Sequence, residues 1–157
     1  MTTLNIGNLA PNFTTIDQNE SPQKLTDYKG KYVVLYFYPK AMTPGCTAQA
    51  CSLRDVKSEL ADLNAVPLGV SPDKPSSLKK FEAKEHLNFT LLSDADHAIA
   101  QAYGAWQEKQ LYGKLYMGVQ RMTYIIDPTG KIAAVLPKAN PKTHHDDVLK
   151  ILENLNK

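Results

Sequence analysis

"KYVVLYFYPKAMTPGCTAQACSLRD", residues 31–55, changes its periodicity once, and that change decides the kind of fold. Residues 31–39 are a continuous apolar run rich in β-branched and aromatic side chains. Such a run suits a strand buried on both faces, as in a parallel sheet. From Pro44 the pattern is helical: Leu53, Val56, Leu60 and Leu63 recur at spacings of three and four. A buried strand therefore feeds directly into a helix. In open α/β sheets, ligands bind at the carboxyl ends of the strands, which is where this junction lies.

On the amino-terminal side, "NFTTID" (12–17) alternates weakly and predicts a short strand before the turn-rich "QNESPQ". Further along, "AVPLGVS" (65–71) and "FTLLSD" (89–94) read as buried strands. The stretch "SPDKPSSLKKFEAKEH" carries helix-start signals, with Pro75 near the first turn, and predicts a helix to about His86. "ADHAIAQAYG" (95–104) predicts a short helix stopped at Gly104. Residues 105–118 are aromatic, Gly-containing and irregular, and read as a loop. "RMTYIIDPTGKIAAVLP" (121–137) predicts two strands around an Asp-Pro-Thr-Gly turn. "KTHHDDVLKILENLN" (142–156) closes the chain as an amphipathic helix with acidic residues in its first turn. The order predicts an α/β fold: a mostly parallel central sheet with an antiparallel edge hairpin, flanked by helices. A thioredoxin-like arrangement fits, because the last hairpin and helix complete that topology.

With 157 residues, no repeat and no linker-like shift in composition, residues 1–157 read as one domain with a substantial core. A net charge of only +2 and the lack of any basic tract argue against nucleic acid as a partner. No apolar run approaches a membrane span. The N-terminal "MTTLNIGNLAP" lacks the features of a secretory signal, so a cytoplasmic location is expected. In a reducing compartment, two cysteines are working thiols or plain core residues rather than a structural staple.

Those two are Cys46 and Cys51. Thr43 suits an N-cap and Pro44 the first helical position, which makes Gly45 the second and Cys46 the third. The helix dipole and the free amides there favour a thiolate over a thiol. Gly45, without a side chain, lets a small substrate approach the backbone. Five residues along an ideal helix place two Cα atoms about 8–9 Å apart. A disulfide needs them within about 7 Å. Cys46 and Cys51 thus either never pair or pair only after the first turn unwinds. A zinc or iron–sulfur site needs more ligands than these two cysteines supply, so no metal is expected. A thioredoxin-type redox centre would carry Cys-x-x-Cys.

The pattern Pro39-x-x-x-Thr43-x-x-Cys46 resembles the active-site motif of the peroxiredoxins. The longer "YFYPKAMTPGCTAQAC", together with "LAPNFTTID", "FTLLSD", "YGAW" and "RMTYIIDPTGKI", resembles the bacterioferritin comigratory, or Q-type, group and spans nearly the whole chain. The resemblance implies a peroxidase for hydrogen peroxide and organic hydroperoxides, with no metal or organic cofactor and a thioredoxin-like fold. It assigns Cys46 as the peroxidatic cysteine and Cys51 as the resolving one. It makes Arg121 the active-site arginine, Thr43 the source of a hydroxyl, and Pro39 a shield for the pocket. It implies recycling by thioredoxin or a similar dithiol, and a monomer. Two other readings stay open: a general thiol–disulfide oxidoreductase, and a peroxide-responsive redox sensor. Tyr38 and Trp106 are expected to line or pack near the pocket. Glu59, Asp62, Lys79 and Lys80 read as solvated helix faces, and His144 and His145 as ordinary exposed residues.

Overall fold

The computed structural model describes residues 4–157; the first three residues of the N-terminal stretch read above lie outside the described residues. Its strands are β1 (Thr14–Asp17), β2 (Pro22–Lys24), β3 (Tyr32–Phe37), β4 (Ala65–Ser71), β5 (Thr90–Ser93), β6 (Trp106–Leu111), β7 (Lys114–Val119), β8 (Thr123–Ile126) and β9 (Ile132–Leu136). Its α-helices are α1 (Pro44–Asp55), α2 (Lys57–Asp62), α3 (Pro75–Glu85), α4 (Ala98–Ala102) and α5 (His144–Leu155). Seven strands form one sheet in the order β2-β1-β5-β4-β3-β8-β9. The central β5-β4-β3 pairs are parallel. The expected edge hairpin, β8-β9, is antiparallel. The opposite edge is also antiparallel, through β1 and the short β2, which the turn-rich sequence did not suggest. No helix among the described residues is long and apolar enough to cross a membrane.

Strand β3 is buried on both sides, and its alternation divides the core in two. Val33, Leu35 and Phe37 join one cluster with Ile99, Ala100 and Tyr103. Val34, Tyr36 and Tyr38 face the other, where α1, α3 and α5 contribute Leu53, Leu78, Phe81, Val148 and Leu152. Cys46 belongs to this second cluster.

Two predicted elements differ from the structure. The helical run from Pro44 to Leu63 is broken at Val56, whose φ and ψ of −108° and 17° end α1 before α2 begins. The apolar spacing of three and four continues across the break because α2 resumes on the same side, burying Leu60. Residues 105–118 do not form an irregular loop. They contain the β6-β7 hairpin, paired from Trp106↔Val119 to Leu111↔Lys114. Tyr112 and Gly113 both have positive φ, 51° and 77°, as a two-residue hairpin turn requires. Leu111, Tyr112, Leu115, Tyr116 and Met117 are exposed, so neither face shows the clean alternation of a half-buried strand.

Candidate active site

Three chain segments meet at the carboxyl end of β3. The first is the junction itself. After Tyr38, whose N–H donates to the Val70 carbonyl, the chain turns through Pro39 to Met42 and enters α1 at Thr43. Asp73, just beyond β4, holds this turn. One carboxylate oxygen accepts from the Ala41 N–H and from the Ser71 hydroxyl, both at 2.8 Å. Met42 has φ of 65°, so the turn passes through the left-handed region immediately before the helix. The sequence reading missed Asp73; its signal was the "SPD" turn directly after a strand end.

Thr43 is the N-cap residue, extended at φ −83° and ψ 154°, but its side chain does not cap the helix. Its hydroxyl donates instead to the Lys40 carbonyl at 2.8 Å. The first-turn N–H groups of Gly45 and Cys46 therefore receive no side-chain oxygen from Thr43, whose carbonyl accepts from Thr47 instead. Cys46 is the third helical residue and is 1% exposed. Both cysteines are free.

The second segment leads into β8. In the antiparallel register Tyr36 pairs with Thr123, and the Phe37 N–H donates to the Met122 carbonyl. This brings Arg121, just before β8, beside the start of α1. Its guanidinium lies against Gly45: a Cβ built there would stand 2.8 Å from Nη2. The missing side chain at Gly45 makes room for the Arg121 guanidinium. Arg121 also donates from Nη1 to Gln49 Oε1 at 3.0 Å.

The third segment is the loop from β9 into α5. Its Ala139 N–H donates to the Arg121 carbonyl, and Pro141 approaches Gly45. It ends at His144, the first residue of α5. His144 is fully buried, contrary to the exposed position expected from the sequence. The reason is helical spacing: His144, Val148 and Leu152 form one buried stripe. His145 beside it is half-buried. Burial lowers the His144 pKa to about 4, with Asp147 opposing and His145 and Arg121 adding to the shift. The imidazole is neutral at ordinary pH.

Cys51 lies on another side of α1, half-buried against the end of α3. Its Sγ contacts Glu85 Oε1 at 3.7 Å. Burial raises its pKa; Arg54 opposes this and Glu85 adds to it, both by charge and by accepting the thiol hydrogen. Cys51 is thus held as a thiol. With both cysteines in one unbroken helix, their Cα atoms are about 8–9 Å apart, too far to bond. Pro39 is half-buried at the rim of the junction. Tyr38 is buried in the Cys46 cluster and stacks on Tyr36, with ring centroids 5.4 Å apart. Trp106 packs against the other core cluster, stacked on His97 at 3.8 Å, and so does not share the Cys46 core.

A sequence profile of the AhpC/TSA family matches residues 6–135. The chain belongs to the AhpC/TSA family. Within that family it is similar to peroxiredoxin Bcp of Escherichia coli, 48% identical over 98% of both chains. It is also similar to peroxiredoxin Bcp of Bacillus subtilis, 44% identical over 98% of both. Among solved structures, a cysteine-to-serine mutant of PrxQ from Xylella fastidiosa superposes with a TM-score of 0.94, at 30% identity and full coverage of both chains. A Xanthomonas campestris bacterioferritin comigratory protein, studied for alkyl peroxide reduction, superposes with a TM-score of 0.88 at 32% identity, covering 92% of both chains. This AhpC/TSA member is a peroxiredoxin, a thiol-dependent peroxidase with a thioredoxin-like fold.

Proposed function

We propose that Cys46 is the peroxidatic cysteine, that Cys51 resolves it, and that the substrates are hydrogen peroxide and organic hydroperoxides. The observation that carries this reading is the placement of Cys46 in the first turn of α1, beside the Arg121 guanidinium seated over Gly45. The Cys46 thiolate attacks one peroxide oxygen. The O–O bond breaks, the other oxygen leaves as hydroxide or alkoxide and takes up a proton, and Cys46 becomes a sulfenic acid. The first-turn amides and Arg121 are donors set where negative charge develops on the peroxide oxygens. The Thr43 hydrogen is committed to the Lys40 carbonyl, so towards a bound peroxide its hydroxyl oxygen acts as an acceptor. That suits the protonated oxygen of a hydroperoxide. Pro39 closes the rim of the pocket against water.

Resolution requires the first turn of α1 to open. Opening frees Cys46 to reach Cys51, which stays beside Glu85, a contact that favours the thiol until Cys51 gives up its proton. The Cys51 thiolate then attacks the Cys46 sulfur, forming the disulfide and releasing the sulfenic oxygen as water once protonated. A dithiol protein of the thioredoxin type, by exchange, returns both thiols. The internal position of Cys51 favours a monomer as the working unit.

Rapid mixing of the reduced protein with hydrogen peroxide tests the reading. Fast oxidation in the wild type and its loss in Cys46→Ser are expected. Cys51→Ser is expected to consume about one equivalent of peroxide and then stall with thioredoxin. Full activity in Cys46→Ser, or unchanged thioredoxin-dependent turnover in Cys51→Ser, contradicts it. A general thiol–disulfide oxidoreductase would instead reduce mixed disulfides without peroxide, and a redox sensor would react slowly and bind a partner only as the disulfide.

A further inference from the structure

Behind Arg121 stands a chain of buried polar groups, Gln49, His144 and Thr123. Arg121 Nη1 donates to Gln49 Oε1 at 3.0 Å. Gln49 Nε2 lies 3.2 Å from His144 Nδ1, and His144 Nε2 lies 2.8 Å from the Thr123 hydroxyl. Gln49, His144 and Thr123 are each 0% exposed. Four segments, α1, α5, the start of β8 and the residues before it, are joined through these three contacts.

The direction of every hydrogen bond follows from one fact: a guanidinium only donates. Gln49 must therefore present its oxygen to Arg121, which turns its NH2 group towards His144. His144 Nδ1 must then be an acceptor, so the proton sits on Nε2 and is donated to Thr123. Read the other way, a neutral imidazole with its proton on Nε2 forbids the flipped amide. A flipped Gln49 would aim NH2 at Arg121 and leave buried donors unpaired.

We propose that His144, with Thr123 behind it, is a positioning residue for peroxide reduction: it fixes the Gln49 amide so that its oxygen holds Arg121 over the first turn of α1. The Arg121 side chain is long, and its guanidinium has this one side-chain anchor among the described contacts. A small displacement of such a group away from the reacting atoms lowers rate without removing the group. Tyr36, with its ring centroid 5.7 Å from that of His144, completes the packing around the imidazole.

The proposal rests on Cys46 being the peroxidatic residue, and the test separates the two. His144→Leu removes the acceptor at similar volume. His144→Asn keeps an acceptor near the place of Nδ1, and Thr123→Val disturbs the tautomer without touching position 144. Each is made in the wild-type background and in Arg121→Met. The second-order rate of Cys46 oxidation by hydrogen peroxide is measured by rapid mixing, on protein shown to be folded by circular dichroism. Roughly ten-fold slowing is expected for His144→Leu, less for Thr123→Val, and at most about three-fold for His144→Asn, with no further slowing of any variant in the Arg121→Met background. Should His144→Leu fail to fold, Thr123→Val and His144→Asn carry the same comparison. Equal slowing with and without Arg121, or no slowing in His144→Leu or Thr123→Val while Arg121→Met is slow, overturns the positioning role alone. Fast oxidation retained in Cys46→Ser removes the underlying reading and this inference with it.

Discussion

At the scale of single residues, position 45 separates stability from chemistry. Alanine is the better helix former by about 1 kcal/mol, so Gly45→Ala favours α1 on its own. The added methyl would meet Arg121 Nη2, the far end of a flexible side chain, which can swing away. We expect a melting temperature equal to or above that of the wild type, with peroxide reduction at least ten-fold slower by rapid mixing, a loss of Arg121 placement. Glu85 governs the other thiol. Glu85→Gln removes both the charge and the strong acceptor beside Cys51 and shifts that thiol towards the thiolate. In a Cys46→Ser background, alkylation of Cys51 followed against pH should then show its midpoint at lower pH; an unmoved midpoint would leave Glu85 without influence. The local spacing placed Thr43 and Cys46 at a helix start, as the structure has them, whereas Arg121 was named through the family resemblance alone. Gln49 and His144 were not legible in the sequence. Each lies on a helical stripe with buried apolar neighbours, Gln49 between Cys46 and Leu53, His144 ahead of Val148 and Leu152. A polar residue on such a stripe signals a buried partner, but the partner is 95 residues away along the chain and only the folded chain identifies it.

At the scale of elements, the proposed resolution step makes the opening of α1 the event that brings Cys46 to Cys51. Ala48 is exposed in the middle of the helix, between the two cysteines. Ala48→Gly lowers the stability of α1 by about 1 kcal/mol, which raises the opened population about five-fold. Disulfide formation after a peroxide pulse should accelerate by up to that factor, and mass spectrometry should find less Cys46 sulfinic acid at high peroxide. If disulfide formation is unchanged, opening of α1 does not limit resolution. The strands and helices around the site were readable because their apolar runs are long or periodic. The β6-β7 hairpin was not, because its two strands expose apolar and polar residues alike and its turn is Tyr-Gly, not the usual Asn-Gly. The break at Val56 was invisible for the opposite reason: periodicity continues through it.

For the whole molecule, His144 links stability to pH. Its folded pKa of about 4 lies below the ordinary histidine value near 6.5, so the folded state favours the neutral ring. The unfolded chain binds the proton first as pH falls, and stability is lost from about pH 6.5 down towards pH 4. Between pH 8 and pH 5 the loss attributable to this residue is about 2 kcal/mol. Urea unfolding at the two values should show it, and in His144→Leu the difference between them should shrink by about that amount; an unchanged difference would mean that the imidazole is not buried neutral. The parallel centre and the antiparallel β8-β9 edge were foreseen from order and pattern. Their register was not, and it is the register that sets Arg121 and His144 at the same end of the sheet as Cys46. The break at Val56 has a final consequence for cooperativity. Because α1 ends there, its opening need not propagate into α2, whose Leu60 stays locked in the core. Amide hydrogen exchange in the reduced protein should therefore resolve two tiers in what the sequence presents as one helix. The amides of residues 47–50, whose acceptors lie in the opening turn, should exchange through a low-energy partial opening, while the Leu60 amide should exchange only when the entire domain unfolds.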